Sequence, residues 1–351
     1  MLALAAIGIV NLYSAGYNRI PEGATPVYLK QTYWLGLGLA VMFLSLLYDY
    51  RHYERLAYPL YILSIVLLVG VMVAGKSVSG SRRWLALGPV SFQPAELAKL
   101  AVILVLARYF HRRPQLAPLT FKDLLAPVAL VLLPALIIIK QPDLGSGLLV
   151  VAVAAAVILF AGVHWRTLVV SLIGLLAAAP AAWPFLKDYQ KQRILAFLNP
   201  EKDPLGAGYH IIQSEIAVGS GQFWGKGFLK GTQSQLYFLP EQHTDFVFSV
   251  FAEEWGFAGS ALVLLLYIGL ILWGLQIART CKDRFGQFLA VGVTALLFWQ
   301  IFINLCMVTG LCPVVGLPLP LLSYGGSSLV TTLLALGILL NIRMRRFVSG
   351  R

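Results

Sequence analysis

The sequence predicts an all-α polytopic integral membrane protein, with about ten transmembrane helices and one long structured extracytoplasmic loop before the eighth. Three observations lead there. Of 351 residues, 59% are hydrophobic and 12% charged, with a mean hydropathy of +0.79, whereas a soluble domain carries about a quarter charged residues. Apolar runs of roughly 16–24 residues recur, near the ~20 that cross a hydrocarbon core. The connections between runs are short and basic, with a single exception.

The apolar runs are 2–15, 30–47, 56–74, 95–110, 124–139, 147–163, 167–186, 255–277, 288–311 and 326–342. The first is short for a span and begins at Met1 with no flanking charge. A basic cytosolic lead-in is therefore expected to be absent or trimmed. Without a positive n-region, the run reads as a helix and not as a cleaved signal peptide. Alternate connections hold Arg51 and Arg55; Arg108, Arg112, Arg113 and Lys122; Arg166; Arg279, Lys282 and Arg284; and Arg343, Arg345, Arg346 and Arg351, fourteen of the 27 Lys and Arg. The positive-inside rule places these loops, and both termini, in the cytoplasm. A formal charge of +12 fits anionic inner-leaflet lipid. With no single basic face and no aromatic-interleaved patch, it argues against nucleic acid. Cys281, Cys306 and Cys312 have no metal-ligand spacing. Free packing thiols are expected, a Cys306–Cys312 bridge being the alternative.

The whole chain reads as one transmembrane domain, residues 1–351, with 187–245 as its large extracytoplasmic loop. Loops of that length are commonly functional. "LNPEKDPLGAGYH" (198–210) is turn chemistry. "HIIQSEIAVGSG" (210–221) predicts a short helix in the interface or packed on the bundle. "GSGQFWGKGFLKGTQSQLYFLP" (219–240) is glycine-rich with Lys226 and Lys230. It resembles a phosphate cradle but matches no such fingerprint, so a flexible interfacial loop is the expectation.

Ionisable residues within spans are costly and therefore functional candidates. In "FQPAELAKL" (92–100), Gln93, Pro94 and Glu96 fit the cap, first position and third position of a helix start. Lys99 follows one turn deeper on the face of Glu96, where either that carboxylate or an anionic ligand would satisfy it. In "KQPDLGSG" (140–147), Asp143 is placed to cap the next helix. "LCPVVGLPLPLLSYGGSS" (311–328) is dense in Pro and Gly, which predicts a re-entrant segment lining a cavity, with Ser323 at its rim. In "PEQHTDFVFSVFAEEWG" (240–256), Asp245 is expected in the first turn of the eighth helix after a Thr244 cap. Of Glu253 and Glu254, about two turns on, one is expected to pair with a base inside the bundle. These groups cluster toward the outer side, unlike the midplane sites of transporters.

"FQPAELAKL", "KQPDLGSG", "QRILAFLNPEKDPLGAGYHIIQS", "GTQSQLYFLPEQHTDFVFSVFAEEWG" and "PVVGLPLPLLSYGGSS" closely resemble motifs of the SEDS family (shape, elongation, division and sporulation), in that family's order. Within it, the rod-shape branch (RodA) is nearer than the division branch (FtsW). Ala95, where serine is common, and the short N-terminus are departures. The resemblance implies a bacterial cytoplasmic-membrane peptidoglycan glycosyltransferase, serving cell elongation and rod shape. It would polymerise lipid II, a disaccharide-pentapeptide on undecaprenyl pyrophosphate, at the outer face. It also implies a class B penicillin-binding protein (a single-span transpeptidase) and other elongation-complex membrane proteins as partners. Asp245 matches the family's essential aspartate. Glu96, Lys99 and Asp143 match outer-cavity positions, and Arg83, Arg193 and Ser323 lie in family motifs as substrate-binding candidates.

Elementary chemistry agrees. Inverting sugar transfer uses a carboxylate base to activate the nucleophile. A pyrophosphate leaving group needs no general acid but does need cations, either Lys and Arg or a divalent metal such as magnesium or manganese. Two other readings compete: a lipid-linked precursor flippase, and a non-catalytic scaffold for a transpeptidase.

Overall fold

The computed structural model describes residues 1–17, 25–78, 81–87, 90–113, 118–203, 206–236, 238–239 and 241–345. Ten long helices fall on the ten apolar runs: α1 (Leu2–Gly16), α2 (Val27–Leu47), α3 (Tyr50–Ala74), α4 (Pro94–Arg112), α5 (Phe121–Lys140), α6 (Leu144–Ala161), α7 (Trp165–Ala182), α11 (Val247–Thr280), α12 (Arg284–Val308) and α13 (Gly326–Met344). Between α7 and α11 lie the shorter α8 (Asp188–Leu198), α9 (Ala207–Ser220) and α10 (Thr232–Gln235). Seven helices, α2, α3, α5, α6, α11, α12 and α13, are long and apolar enough to cross a membrane on length and composition alone. Of the others, α1 and the apolar part of α7 are shorter, and α4 carries Glu96, Lys99, Arg108 and Arg112.

Helix starts follow local chemistry. Asp49 accepts the Arg51 N–H at the head of α3. Thr120 and Asp123 form a reciprocal capping box on α5, and Asp143 accepts the Ser146 N–H at the head of α6, each satisfying an otherwise orphaned amide. One feature departs from the all-α expectation. A small antiparallel sheet, β1 (Lys76–Val78), β2 (Ser81–Leu87) and β3 (Val90–Phe92), joins α3 to α4 with strand order β1-β2-β3. Lys76 faces Trp84 across one ladder and Leu85 faces Phe92 across the other. These strands are too short for an alternating pattern to stand out against the flanking spans.

The chain forms two compact units. One comprises Met1–Leu35, Leu172–Leu270 and Gln300–Gly325; the other comprises Gly36–Ser171, Ile271–Trp299 and Gly326–Arg351. In the second unit, α4 is the central element, packing on α3, α5, α6 and α13, and its residues Ala98 to Ala107 are all buried. In the first, α9 packs on α8 and α10; its Ile211, Ser214 and Ala217 are buried, the Ser214 hydroxyl meeting Ser249 of α11 and the Val308 carbonyl of α12, whereas Ile216 is exposed. All three cysteines are free thiols, and burial pushes that of Cys312 up to about 11.

Candidate active site

Four predicted site residues lie in the second unit, as two pairs. Gln93 precedes α4, with Pro94 at its first position, but the expected side-chain cap does not form. The Gln93 amide instead donates to Asp143 Oδ2 at 3.1 Å. Asp143 is thus held by Gln93, by the Ser146 N–H, and by Arg83 at 3.8 Å. Arg83, on β2, donates through Nε to the Gln141 carbonyl at 3.2 Å and through a terminal nitrogen to the Pro142 carbonyl. Its guanidinium therefore clamps the turn that carries Asp143. Glu96, freed from capping, faces Lys99 at 2.7 Å, with side chains 5% and 1% exposed. The pair is close, yet among the described residues the Lys99 ammonium has no aligned hydrogen-bond acceptor. Buried charge in this state is expensive, and Lys99 retains donors for an anion.

Asp245, Arg193 and Ser323 belong to the first unit. Asp245 lies in a turn two residues before α11, not in its first turn. The Thr244 hydroxyl donates to Glu241, closing that turn without capping the helix. The difference arises because Phe246 is already committed to the turn, its N–H donating to the Glu241 carbonyl at 3.4 Å. Asp245 is half-buried. Its carbonyl accepts Asn304 Nδ2 at 2.9 Å, and the same amide group reaches the Leu317 carbonyl at 2.7 Å. Gly316, at φ +73°, lies against the carboxylate, since an added Cβ would stand 3.2 Å from Oδ2.

The segment beyond it, "GLPLPLLSY", cannot satisfy itself, because prolines remove donors. Its carbonyls go to side chains from spans: Leu317 to Asn304, Pro318 to Gln300 at 3.0 Å, and Pro320 to Tyr267 at 2.6 Å. Ser323 is buried, and its hydroxyl accepts the Leu319 N–H at 2.8 Å, while its carbonyl accepts Gln31. The Tyr324 N–H donates to the His243 carbonyl at 2.8 Å, tying this segment to the Asp245 turn. Sequence reasoning missed Asn304, Gln300, Tyr267 and Gln31. Their signal was present: lone polar side chains inside apolar spans. Arg193, on α8, sits 6.0 Å from the Tyr189 ring centroid. Its charge, after burial, lowers the pKa of His210, with Glu241 opposing, and the His210 ring stacks on Phe246.

In the glycine-rich loop, backbone amides turn inward onto the protein's own carbonyls. Among its amides, Gly225 donates to Gly221, Lys226 to the Glu253 carbonyl, Gly227 to the Glu254 carbonyl and Lys230 to Gly227, so these four point at no anion. Two of the acceptors exist because α11 breaks at Gly256, φ 63° and ψ −160°. The freed N–H groups of Phe257 and Ala258 donate back to Gln222 and Phe223 at 2.8 and 3.0 Å. Gly225 must lack a side chain, because a Cβ there would fall 2.1 Å from the Glu254 carbonyl oxygen. Glu253 resolves which acid takes a base. Fully buried, it accepts Lys226 Nζ at 2.7 Å, the Thr232 hydroxyl at 3.1 Å and the Gln233 and Ser234 N–H groups at 3.0 and 3.3 Å. Glu254 instead takes the Ser14 hydroxyl. Among the described residues no three His, Cys, Asp or Glu side chains converge to hold a metal ion.

Residues 1–347 match the model of the cell cycle protein family FtsW/RodA/SpoVE. This chain belongs to that family. It is 47% identical over 313 residues to the peptidoglycan glycosyltransferase MrdB of Escherichia coli K12, covering 89% of this chain and 84% of the relative. The peptidoglycan glycosyltransferase RodA of Treponema pallidum is 34% identical, covering 99% of this chain and 96% of its own. A solved chain from a peptidoglycan synthase complex coordinating polymerization and crosslinking superposes with TM-score 0.85 at 38% identity, covering 99% of this chain and 96% of that one. The crystal structure of Thermus thermophilus RodA gives 0.72 at 34%, with 99% and 95% covered. The expected family is thereby borne out, and with it an integral inner-membrane protein of helical architecture.

Proposed function

We propose that this peptidoglycan glycosyltransferase polymerises lipid II into glycan strands, with Asp245 as the base. The chain acts as one transmembrane domain, with both termini cytoplasmic and 187–245 on the outer face. The observation carrying the reading is the Asp245 turn: a half-buried carboxylate whose backbone is fixed by Asn304 and against which Gly316 lies closely.

In the reaction, an Asp245 carboxylate oxygen takes the proton of the acceptor sugar hydroxyl. The oxygen of that sugar hydroxyl attacks the donor's anomeric carbon, and the bond from that carbon to the pyrophosphate breaks with inversion, the pair of electrons leaving on the diphosphate. Charge developing on the departing diphosphate needs preplaced cations. Lys99 suits this better than Arg83, whose guanidinium is already taken up by two carbonyls. Asp143 and Glu96 hold those cations in place. Arg193 and Ser323 remain substrate-binding candidates, Ser323 through the loop shape it maintains. A single-span transpeptidase of the penicillin-binding class is the proposed partner, in line with the synthase complex that this chain resembles.

The test is polymerisation of purified lipid II, with and without such a transpeptidase. The wild-type chain yields glycan strands, and Asp245→Asn yields none while unfolding at the same temperature. Strand synthesis by the Asn variant would remove Asp245 as the base. Transbilayer movement of lipid II without strand synthesis would replace the polymerase reading with a flippase.

A further inference from the structure

We infer that the 222–228 loop and the break in α11 together form a membrane-interface anchor, seated at the headgroup boundary of the leaflet on the side of the 187–245 segment. The argument begins with length. Residues 257–278 are 22 in number and carry no charged side chain, lying between Glu254 and Arg279. At 1.5 Å per residue they span about 33 Å, against a hydrocarbon core of about 30 Å. The membrane-crossing part of α11 therefore starts at Gly256, where the helix breaks, and the break lies at the interface.

What gathers at that level is aromatic and exposed. Trp224 is 79% exposed and Phe257 62%, and Phe223, Phe228 and Trp255 are exposed with them. They form two ring groups: Trp224 on Phe223 at 4.9 Å with Phe257 5.7 Å from Phe223, and Phe228 near both Trp255 and Tyr13. Such rings prefer the headgroup region, where an apolar body and a polar edge are both accommodated. The patch runs on into the exposed aliphatic stripe of the same helix, Leu262, Leu265 and Ile268, so it continues a surface already facing lipid. Exposed Lys230 beside it suits phosphate headgroups.

The anchor is rigid. Four backbone hydrogen bonds join residues 222, 223, 226 and 227 to residues 253, 254, 257 and 258, and Glu253 clasps Lys226 from within. A lipid-facing loop must satisfy its own backbone, and these bonds do so. Through α11 the anchor is continuous with the turn bearing Asp245, so it fixes the depth of that half of the helix relative to the lipid.

The test is tryptophan quenching in phosphatidylethanolamine–phosphatidylglycerol vesicles holding the full chain. The lipids are brominated either near the headgroup end of the acyl chain or near its terminal methyl. The emission lost on Trp224→Phe isolates Trp224, and Trp224→Tyr provides a second isolation if the first variant misfolds. The expected result is a larger loss of Trp224 emission with shallow bromine than with deep bromine. Equal or greater loss with deep bromine would overturn the anchor. So would no loss with either, together with quenching by aqueous acrylamide, which would assign the patch to water or to a protein partner. The readout is depth and not turnover, so its failure is distinct from failure of the polymerase reading.

Discussion

Glu253→Gln should unfasten the segment that leads to the Asp245 turn. Glutamate offers two acceptor oxygens here. One takes Lys226, Thr232 and the Gln233 N–H, and the other takes the Ser234 N–H. Glutamine can keep its oxygen at the first position, but its NH2 then opposes the Ser234 N–H, and the charge facing Lys226 is gone. Losing a hydrogen bond to a charged group costs about 1.5–3 kcal/mol, and an orphaned buried donor about 1–3 kcal/mol. The local opening free energy of α10 should fall by about 3 kcal/mol, which at 1.4 kcal/mol per tenfold is on the order of 10²-fold faster amide exchange. Hydrogen exchange by mass spectrometry on peptides covering 231–236 measures this directly. Residues 226–227 are held by main-chain carbonyls and should accelerate far less. Polymerisation should fall in the same variant, and Lys226→Met with Glu253→Gln should recover part of the protection by removing the unpaired ammonium. Unchanged exchange at 231–236 would refute the reasoning, because it would mean the carboxylate does not hold that turn.

Three other expectations are sharp. Lys99→Met strands the buried Glu96 carboxylate and should destabilise the chain by about 3–5 kcal/mol. Glu96→Gln with Lys99→Met should regain most of that in thermal unfolding yet leave polymerisation down by about 10²-fold; a fully active double variant would remove Lys99 as the diphosphate cation. Asn304→Leu orphans the Asp245 and Leu317 carbonyls together and should cost about 2–5 kcal/mol, with turnover falling more than lipid II affinity; an unaltered unfolding temperature would show those carbonyls satisfied otherwise. Burial, then Arg193, lowers His210 from its usual 6.5. The unfolded chain therefore binds more protons in the window between the lowered native value and 6.5, and stability rises with pH there and is lost as pH falls through it. His210→Gln should flatten that slope in melts across mildly acidic pH, and an identical slope would acquit His210.

The helical plan was legible in the residues, because a span's length and apolarity are local properties set by the thickness of the bilayer. The ten long helices follow the ten apolar runs closely, and the motifs alone carry the family resemblance. Composition also marked Asp245, Glu96, Lys99 and Asp143 as charges that an apolar chain must justify. What local sequence could not decide was which partner each polar group takes, since those choices join residues far apart in the chain. Gln93 fits a cap but serves Asp143. Lys226 fits a phosphate ligand but neutralises Glu253. Arg83 fits an anion site but clamps a turn, and the strand that carries it is too short to declare itself. Tertiary structure alone decided these, because a buried donor or acceptor goes wherever packing leaves its complement, and pattern along the chain does not record that distance.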